Sequence, residues 1–175
     1  SGLQHQDGHS HILANTIPNC ISYDPCFGYE LAVIVHDGLK RMYVNQERVF
    51  YYLTVMNENY EHPAMPQGVE EGIKRGMYLL EEDEKATVQL MGSGVILREV
   101  IKAAKILREE YQIHANVWSV TSYNELRRNA LAAEVEQLRS ADERLQKLAG
   151  EIDKATAAWQ QAADTLGATR RKAAD

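Results

Sequence analysis

The chain is short of cysteine, proline and phenylalanine, and each shortage narrows the choice of protein class. Only Cys20 and Cys26 stand among its 175 residues, too few for a disulfide-stapled secreted scaffold. Their spacing matches no zinc knuckle, so they are expected to be two buried, reduced thiols of a cytoplasmic protein. No apolar run approaches the roughly 18 residues that a membrane span requires. No basic-then-apolar leader opens the chain, so neither a membrane nor a secretory route is expected. Lysine and arginine do not cluster until Arg170-Arg171-Lys172, and the net charge is −6. That balance predicts no nucleic-acid partner.

What is present fits a globular protein: 45% hydrophobic and 25% charged residues, both ordinary values. The charge is unevenly spread. From Tyr123 onward nine acidic residues meet nine basic ones, so residues 1–122, with 16 acidic and 10 basic, carry all of the −6. Aromatics divide the same way, only Trp159 lying beyond Tyr123. Two differently composed pieces are joined in one chain.

In chain order, Cys20-Ile21-Ser22-Tyr23 predicts a short strand set off by Pro18-Asn19. Asp24-Pro25 then predicts a helix start, the aspartate capping free amides and the proline suiting the first turn. From Phe27 to Tyr43 the apolar spacing is helical, and the solid run Leu31–Val35 predicts burial on most sides. Val49 to Met56 is β-branched, aromatic and continuous, as in the middle of a parallel sheet. Strand, helix and strand make a βαβ unit. Asn57 to Gly68, with two prolines, reads as a connector. One or two helical turns over Val69–Arg75, an apolar run Met77–Leu80 and a solvated charged turn Glu81–Lys85 follow. A second βαβ unit runs through Val88–Gly92, a helix from Val95 to Tyr111 whose apolar face is Leu97, Val100, Ala104, Leu107 and Tyr111, and Val117–Thr121. Ser122-x-x-Glu125 is a capping box for one more helix.

Two stretches invite a chemical reading. The Gly92-Ser93-Gly94 turn lies between strand and helix, where amides can meet an anion. It lacks the Gly-Lys-Ser/Thr ending of a phosphate loop, and tight strand-to-helix packing explains its glycines equally well. The opening Gly2 to His11 gathers His5, His9 and His11 with Asp7, a polar loop or a mobile terminus. Three imidazoles and a carboxylate could ligate zinc, but no rigid element lies nearby in sequence, so no metal site is expected. A histidine beside a reaction centre, donating a proton or hydrogen bond near neutral pH, is the other chemistry that side chain offers.

From Leu131 the pattern changes again. Leu131, Leu138, Leu145, Ile152, Trp159 and Leu166 recur every seven residues, with Ala141, Leu148, Ala155 and Ala162 three positions on. Charged and polar residues lie between, without proline, which predicts a long coiled-coil helix. Gly150 and Gly167 each weaken it by about 1 kcal/mol relative to alanine.

The strings GLQHQDGHSH (2–11), IPNCISYDP (17–25), HDGLKRMY (36–43), NENYEHPAMPQG (57–68), QLMGSGVILREV (89–100) and VWSVTSYNELRR (117–128) closely resemble the bacterial homodimeric pyruvate dehydrogenase family, the first, decarboxylating component of its complex. The resemblance covers residues 2 to about 130. It implies an α/β fold: parallel βαβ units from the pyrimidine-binding and C-terminal domains of a transketolase-like enzyme, followed here by the coiled-coil-like helix. It places the end of the pyrimidine-binding domain at 1–60, a linker at 61–68, a truncated start of the C-terminal domain at 69–130, and the heptad-patterned helix at 131–175. It implies oxidative decarboxylation of pyruvate on thiamine diphosphate with Mg²⁺, acetyl transfer to the lipoyl group of the acetyltransferase component, a homodimer and a cytoplasmic location.

By the same resemblance His5, the histidine of GLQH, is the catalytic residue that hydrogen-bonds the pyruvate-derived adduct, and His9 and His11 stand behind it in supporting places. Relatives carry an acidic residue before the glycine, where this chain has Ser1. Their diphosphate and Mg²⁺ motif (G-D-G with N-N about 25 residues on) and their pyrimidine-activating glutamate lie upstream of the matched segment. No cofactor-binding residue is therefore expected here, and the chain reads as a fragment inactive by itself. The alternative reading is a non-catalytic fusion or interaction protein assembled through its coiled coil, with a partner helix for 131–175.

Overall fold

The computed structural model describes residues 8–172, so His5 lies outside the described residues. The chain divides into two compact units meeting between Asn129 and Ala130.

The first unit starts with a short helix α1 (Ser10–Asn15) and strand β1 (Cys20–Tyr23). Helix α2 (Gly28–Leu39), extended by a π-helical turn Lys40–Val44, leads to β2 (Phe50–Leu53). The two strands pair in parallel, Cys20 opposite Phe50 through Tyr23 opposite Leu53. After the irregular segment 54–68 come α3 (Glu70–Arg75), β3 (Met77–Glu81), β4 (Val88–Gly92), α4 (Ile96–Tyr111) and β5 (Ala115–Val120). The second sheet has the order β3-β5-β4. Its β4–β5 pair is parallel, joined through α4, and β3 runs antiparallel to β5 with an irregularity between Leu79 and Glu81.

Two apolar clusters hold these layers together. Ile21, Tyr23, Ile34, Ile73 and Tyr78 form one; Cys26, Phe27, Leu97, Ala104 and Val117 form the other. Full burial of each large side chain contributes about 1.5–3 kcal/mol. Residues on both sides of the connector share these clusters, so the two sheets fold as one unit. Polar pins reinforce the packing. The Tyr23 hydroxyl donates to the Lys74 carbonyl at 2.7 Å, and Tyr51 donates to Asp37 on α2 at 2.9 Å.

Three local expectations are corrected. Helix α2 is covered on one face: Glu30, Ile34 and Gly38, four residues apart, are buried, whereas Val35 and Leu39 are 42% and 49% exposed. One contacting layer covers only one stripe of a helix, whatever its composition. Strand β2 is four residues long rather than eight, and Val55 and Met56 lie exposed beyond it, because pairing with the four-residue β1 sets its length. Tyr111, expected on the apolar face of α4, is exposed where that helix ends at Gln112 in the left-handed conformation.

The second unit is the continuation of helix α5 (Tyr123–Lys172). Its capping-box start and the heptad stretch form one uninterrupted helix. The Ser122 hydroxyl accepts the Glu125 N–H at 3.0 Å, as the Ser-x-x-Glu signature requires. Among the described residues no helix is long and apolar enough to cross a membrane.

Candidate functional site

Parallel strands carry their functional groups at their carboxyl ends, and in the first unit polar side chains gather there. Strand β1 delivers Asp24, β2 delivers Thr54, and the turn after β4 delivers Ser93. Thr54 and Ser93 both donate their hydroxyl hydrogens to the Asp24 carboxylate, Ser93 at 2.9 Å. The Asp24 backbone is fixed as well, its N–H bonded to Thr121 and its carbonyl to the Gly94 N–H at 3.0 Å.

Helix α1 brings His11 to this cluster. Its Nε2 lies 3.0 Å from the Thr54 hydroxyl oxygen. Because that hydroxyl gives its hydrogen to Asp24, the imidazole Nε2–H is the donor and Nδ1 faces the other way. The ring meets Tyr52 edge-on at 5.3 Å. Asn124, one residue into α5, donates to the His11 carbonyl at 2.9 Å and also to the Ser22 hydroxyl. Imidazole, hydroxyl, carboxylate and hydroxyl thus form one connected chain: His11, Thr54, Asp24, Ser93. Of these, His11, Asp24 and Ser93 border a cavity of about 80 Å³ shared with Thr121, Ser122, Tyr123 and Asn124. A water takes about 30 Å³ of liquid volume, so the cavity holds two or three small groups.

The Gly92-Ser93-Gly94 turn is a packing device. A Cβ at Gly94, whose φ is +48°, would meet the Asp24 carboxylate at 2.5 Å, and one at Gly92 would meet the Leu97 Cα at 2.8 Å. The Gly94 N–H is spent on Asp24.

The two described histidines of the run separate. His11 joins the Asp24 cluster. His9 sits exposed at the N-cap position of α1, without a side-chain capping bond. His5 precedes the described residues. The Asp24-Pro25 helix start is corrected too. Asp24 is committed to Thr54 and Ser93, and the first turn of α2 is capped from within by Glu30. One oxygen of Glu30 accepts the N–H groups of Cys26 (2.6 Å) and Phe27 (2.9 Å). The other accepts the hydroxyls of Tyr78 (2.7 Å) and Ser119 (2.5 Å). This fully buried carboxylate joins the start of α2 to strands β3 and β5 of the second sheet, a role its place in an apolar run did not announce. Burial, with Glu30 beside it, pushes the Cys26 thiol up to about 11. Burial likewise raises the Tyr29 phenol to about 12 and the Tyr78 phenol well above its usual range. Cys20 and Cys26 are both buried and unpaired by any disulfide.

A separate groove of about 610 Å³ is lined by Phe27, Tyr60, His62, Arg98, Ile101 and Lys102, among others. Its polar groups hold the connector in place. Arg98 lies over the Tyr60 ring at 4.3 Å and pairs with Glu58 at 3.0 Å, while His62 Nδ1 accepts the Gly28 N–H. Among the described residues no three His, Cys, Asp or Glu side chains converge to hold a metal ion.

Comparison with known proteins matches this architecture. The family model for the pyruvate dehydrogenase E1 component middle domain matches residues 1–63, and that for the transketolase-like C-terminal domain matches residues 76–170. The pyruvate dehydrogenase E1 component of Pseudomonas aeruginosa is 64% identical over 136 residues, 76% of this chain and 15% of that protein. That of Escherichia coli K12 is 61% identical over 131 residues, 73% of this chain and 15% of that protein. Among solved structures, Campylobacter jejuni transketolase aligns with a TM-score of 0.58 at 19% identity, covering 73% of this chain and 19% of that one. Pichia stipitis transketolase in complex with sedoheptulose-7-phosphate gives 0.56 at 21% identity, covering 71% and 17%. These establish the fold. The chain spans about 15% of the length of the curated relatives it matches, and it belongs to the bacterial pyruvate dehydrogenase E1 component family, with a transketolase-like α/β fold.

Proposed function

We propose that this chain is the segment of a pyruvate dehydrogenase that carries the junction between its pyrimidine-binding domain (1–60) and C-terminal domain (69–130), with 61–68 as the linker. The complete enzyme decarboxylates pyruvate and transfers the acetyl group to the lipoyl group of its acetyltransferase component, acting as a cytoplasmic homodimer. Thiamine diphosphate and Mg²⁺ would be held by residues outside this segment, the first supplying the electron sink and the second anchoring its diphosphate. The observation that carries the reading is the 64% identity over 136 residues, 76% of this chain.

Within the reaction, this segment's part is to hold hydrogen-bond donors beside the substrate. His5 presents an imidazole N–H to the substrate oxygen on which negative charge builds, a stabilisation realised most strongly in the transition state. The Asp24–Thr54–His11 chain anchors helix α1, which follows His5 in the sequence. His9 and His11 are positioning residues in this scheme, and Ser1 stands where relatives offer an acidic partner. The chain alone is inactive.

Isothermal titration of the isolated chain with thiamine diphosphate and Mg²⁺ should give no binding below the millimolar range. Micromolar binding would refute the assignment of the cofactor site to other segments. Placing His5→Ala in a complete relative should lower kcat by about 10²–10³, the usual effect of losing one such donor, with folding intact. Unchanged turnover would remove His5 from the site.

A further inference from the structure

We propose that α5 pairs with α5 of a second copy of this chain as an antiparallel coiled coil centred between Gln146 and Lys147. Its heptad stripe is exposed throughout, Leu131, Leu138, Leu145, Leu148, Ile152, Trp159 and Leu166 showing between 43% and 69% of their surface. An exposed stripe five heptads long marks an interaction surface, and its composition selects the occupant. One heptad position carries large residues (Leu131, Leu138, Leu145, Ile152, Trp159), and the position three further on carries mostly small ones (Ala141, Ala155, Ala162).

A parallel pair would stack like on like: Ala against Ala, leaving thin layers, Trp159 against Trp159, and Glu134 against Glu134 inside the seam. An antiparallel pair sets large against small. Leu131 meets Ala162 of the second copy, Leu138 meets Ala155, Ile152 meets Ala141, and Leu145 meets Leu148 at the centre. Three layers then set a large residue against alanine, which evens the packing that a parallel pair would leave thin, and Glu134 lies beside Trp159 of the second copy instead of against its own carboxylate.

The flanking charges choose the register. In this alignment Arg144 faces Glu151 of the second copy, and by symmetry the pair occurs twice. Sliding one heptad one way sets Arg144 against Arg144; sliding the other way sets Glu151 against Glu151. Only the centred register joins opposite charges, the device by which coiled coils select partner and alignment. In a parallel pair Arg144 would instead face Ala149. Residues 131–166 span about 54 Å at 1.5 Å per residue, longer than many stable coiled coils.

Sedimentation equilibrium of the full chain between about 1 and 100 µM tests this, with the helical content of each variant checked by circular dichroism. The parent should reach the dimer mass. Arg144→Glu sets like charges together at two symmetric sites and should weaken self-association at least tenfold. Adding Glu151→Arg to that variant should restore it. A chain that stays monomeric over this range overturns the proposal. So does a dimer whose affinity is indifferent to Arg144→Glu, the result expected of a parallel pair or of a dimer formed through the first unit. Failure of the double variant to recover also overturns it.

Discussion

Glu30 ties the first turn of α2 to β3 and β5, and removing its carboxylate should be the most damaging single change outside the apolar core. In Glu30→Ala the N–H groups of Cys26 and Phe27 lose their acceptor in a fully buried place. An unsatisfied buried donor costs about 1–3 kcal/mol, so the two together cost about 4. The hydroxyls of Tyr78 and Ser119 also lose a partner, adding about 1 kcal/mol because hydroxyls can rotate to others. The total of about 5 kcal/mol is a large part of the 5–15 kcal/mol that stabilises a domain. Glu30→Gln is milder. Its amide oxygen accepts both N–H groups and its amide nitrogen donates to the two hydroxyls, so about 2 kcal/mol is lost through the weaker neutral bonds. At about 4 °C per kcal/mol for a unit of this size, Glu30→Gln should melt about 8 °C below the parent, and Glu30→Ala about 20 °C below it. The assay is thermal denaturation followed by near-ultraviolet tyrosine signals, because all nine tyrosines lie at or before Tyr123 and report the first unit. An alanine variant melting within about 3 °C of the parent would refute the assignment of Glu30 as the shared anchor.

Thr54→Val removes the hydroxyl between His11 and Asp24 while keeping the shape; it should cost about 1–2 kcal/mol and shift the His11 ring resonances in NMR spectra, and unchanged resonances would contradict the relay. Gly94→Ala forces a Cβ against the Asp24 carboxylate at a left-handed φ; a loss of about 2–4 kcal/mol in denaturant unfolding is expected, and a neutral result would mean the turn is not held as described. Alkaline pH should destabilise the first unit. Cys26, Tyr29 and Tyr51 are raised by burial to about 11, 12 and 12, so between pH 9 and 12 the unfolded chain releases protons that the folded chain keeps. That contribution is complete below pH 9 and is lost as pH rises through the folded values; absorbance titration at 295 nm should show native tyrosines ionising late, and ordinary ionisation near pH 10 for all nine would refute it.

How much of this is written locally follows from particular residues. Strand β1 begins and ends where Pro18-Asn19 and Asp24-Pro25 punctuate the chain, and β4 ends at the glycine turn. Turn chemistry acts over a few residues and is therefore readable. The run Met77–Leu80 carries no such mark. It becomes an antiparallel strand because β5, forty residues later, offers it an edge. Glu30 and Asp24 show the same limit. Their partners lie up to 89 and 69 residues away in sequence, so neither the shared anchor nor the foundation beneath His11 could be found by spacing. The opposite holds for α5, whose heptads and capping serine are local and legible to the residue. The histidine loop was legible only as composition, and the placement of His9 and His11 needed the fold.

The central claim is that this segment supplies a working wall of a pyruvate dehydrogenase active site. It is tested most directly by replacing the corresponding stretch of the Pseudomonas aeruginosa E1 component with residues 2–129 of this chain, keeping that protein's own acidic residue ahead of the stretch, and measuring pyruvate-dependent turnover. The account predicts a folded chimera with turnover within about tenfold of the parent, lost on His5→Ala. A folded chimera without activity, or one indifferent to His5→Ala, would contradict it.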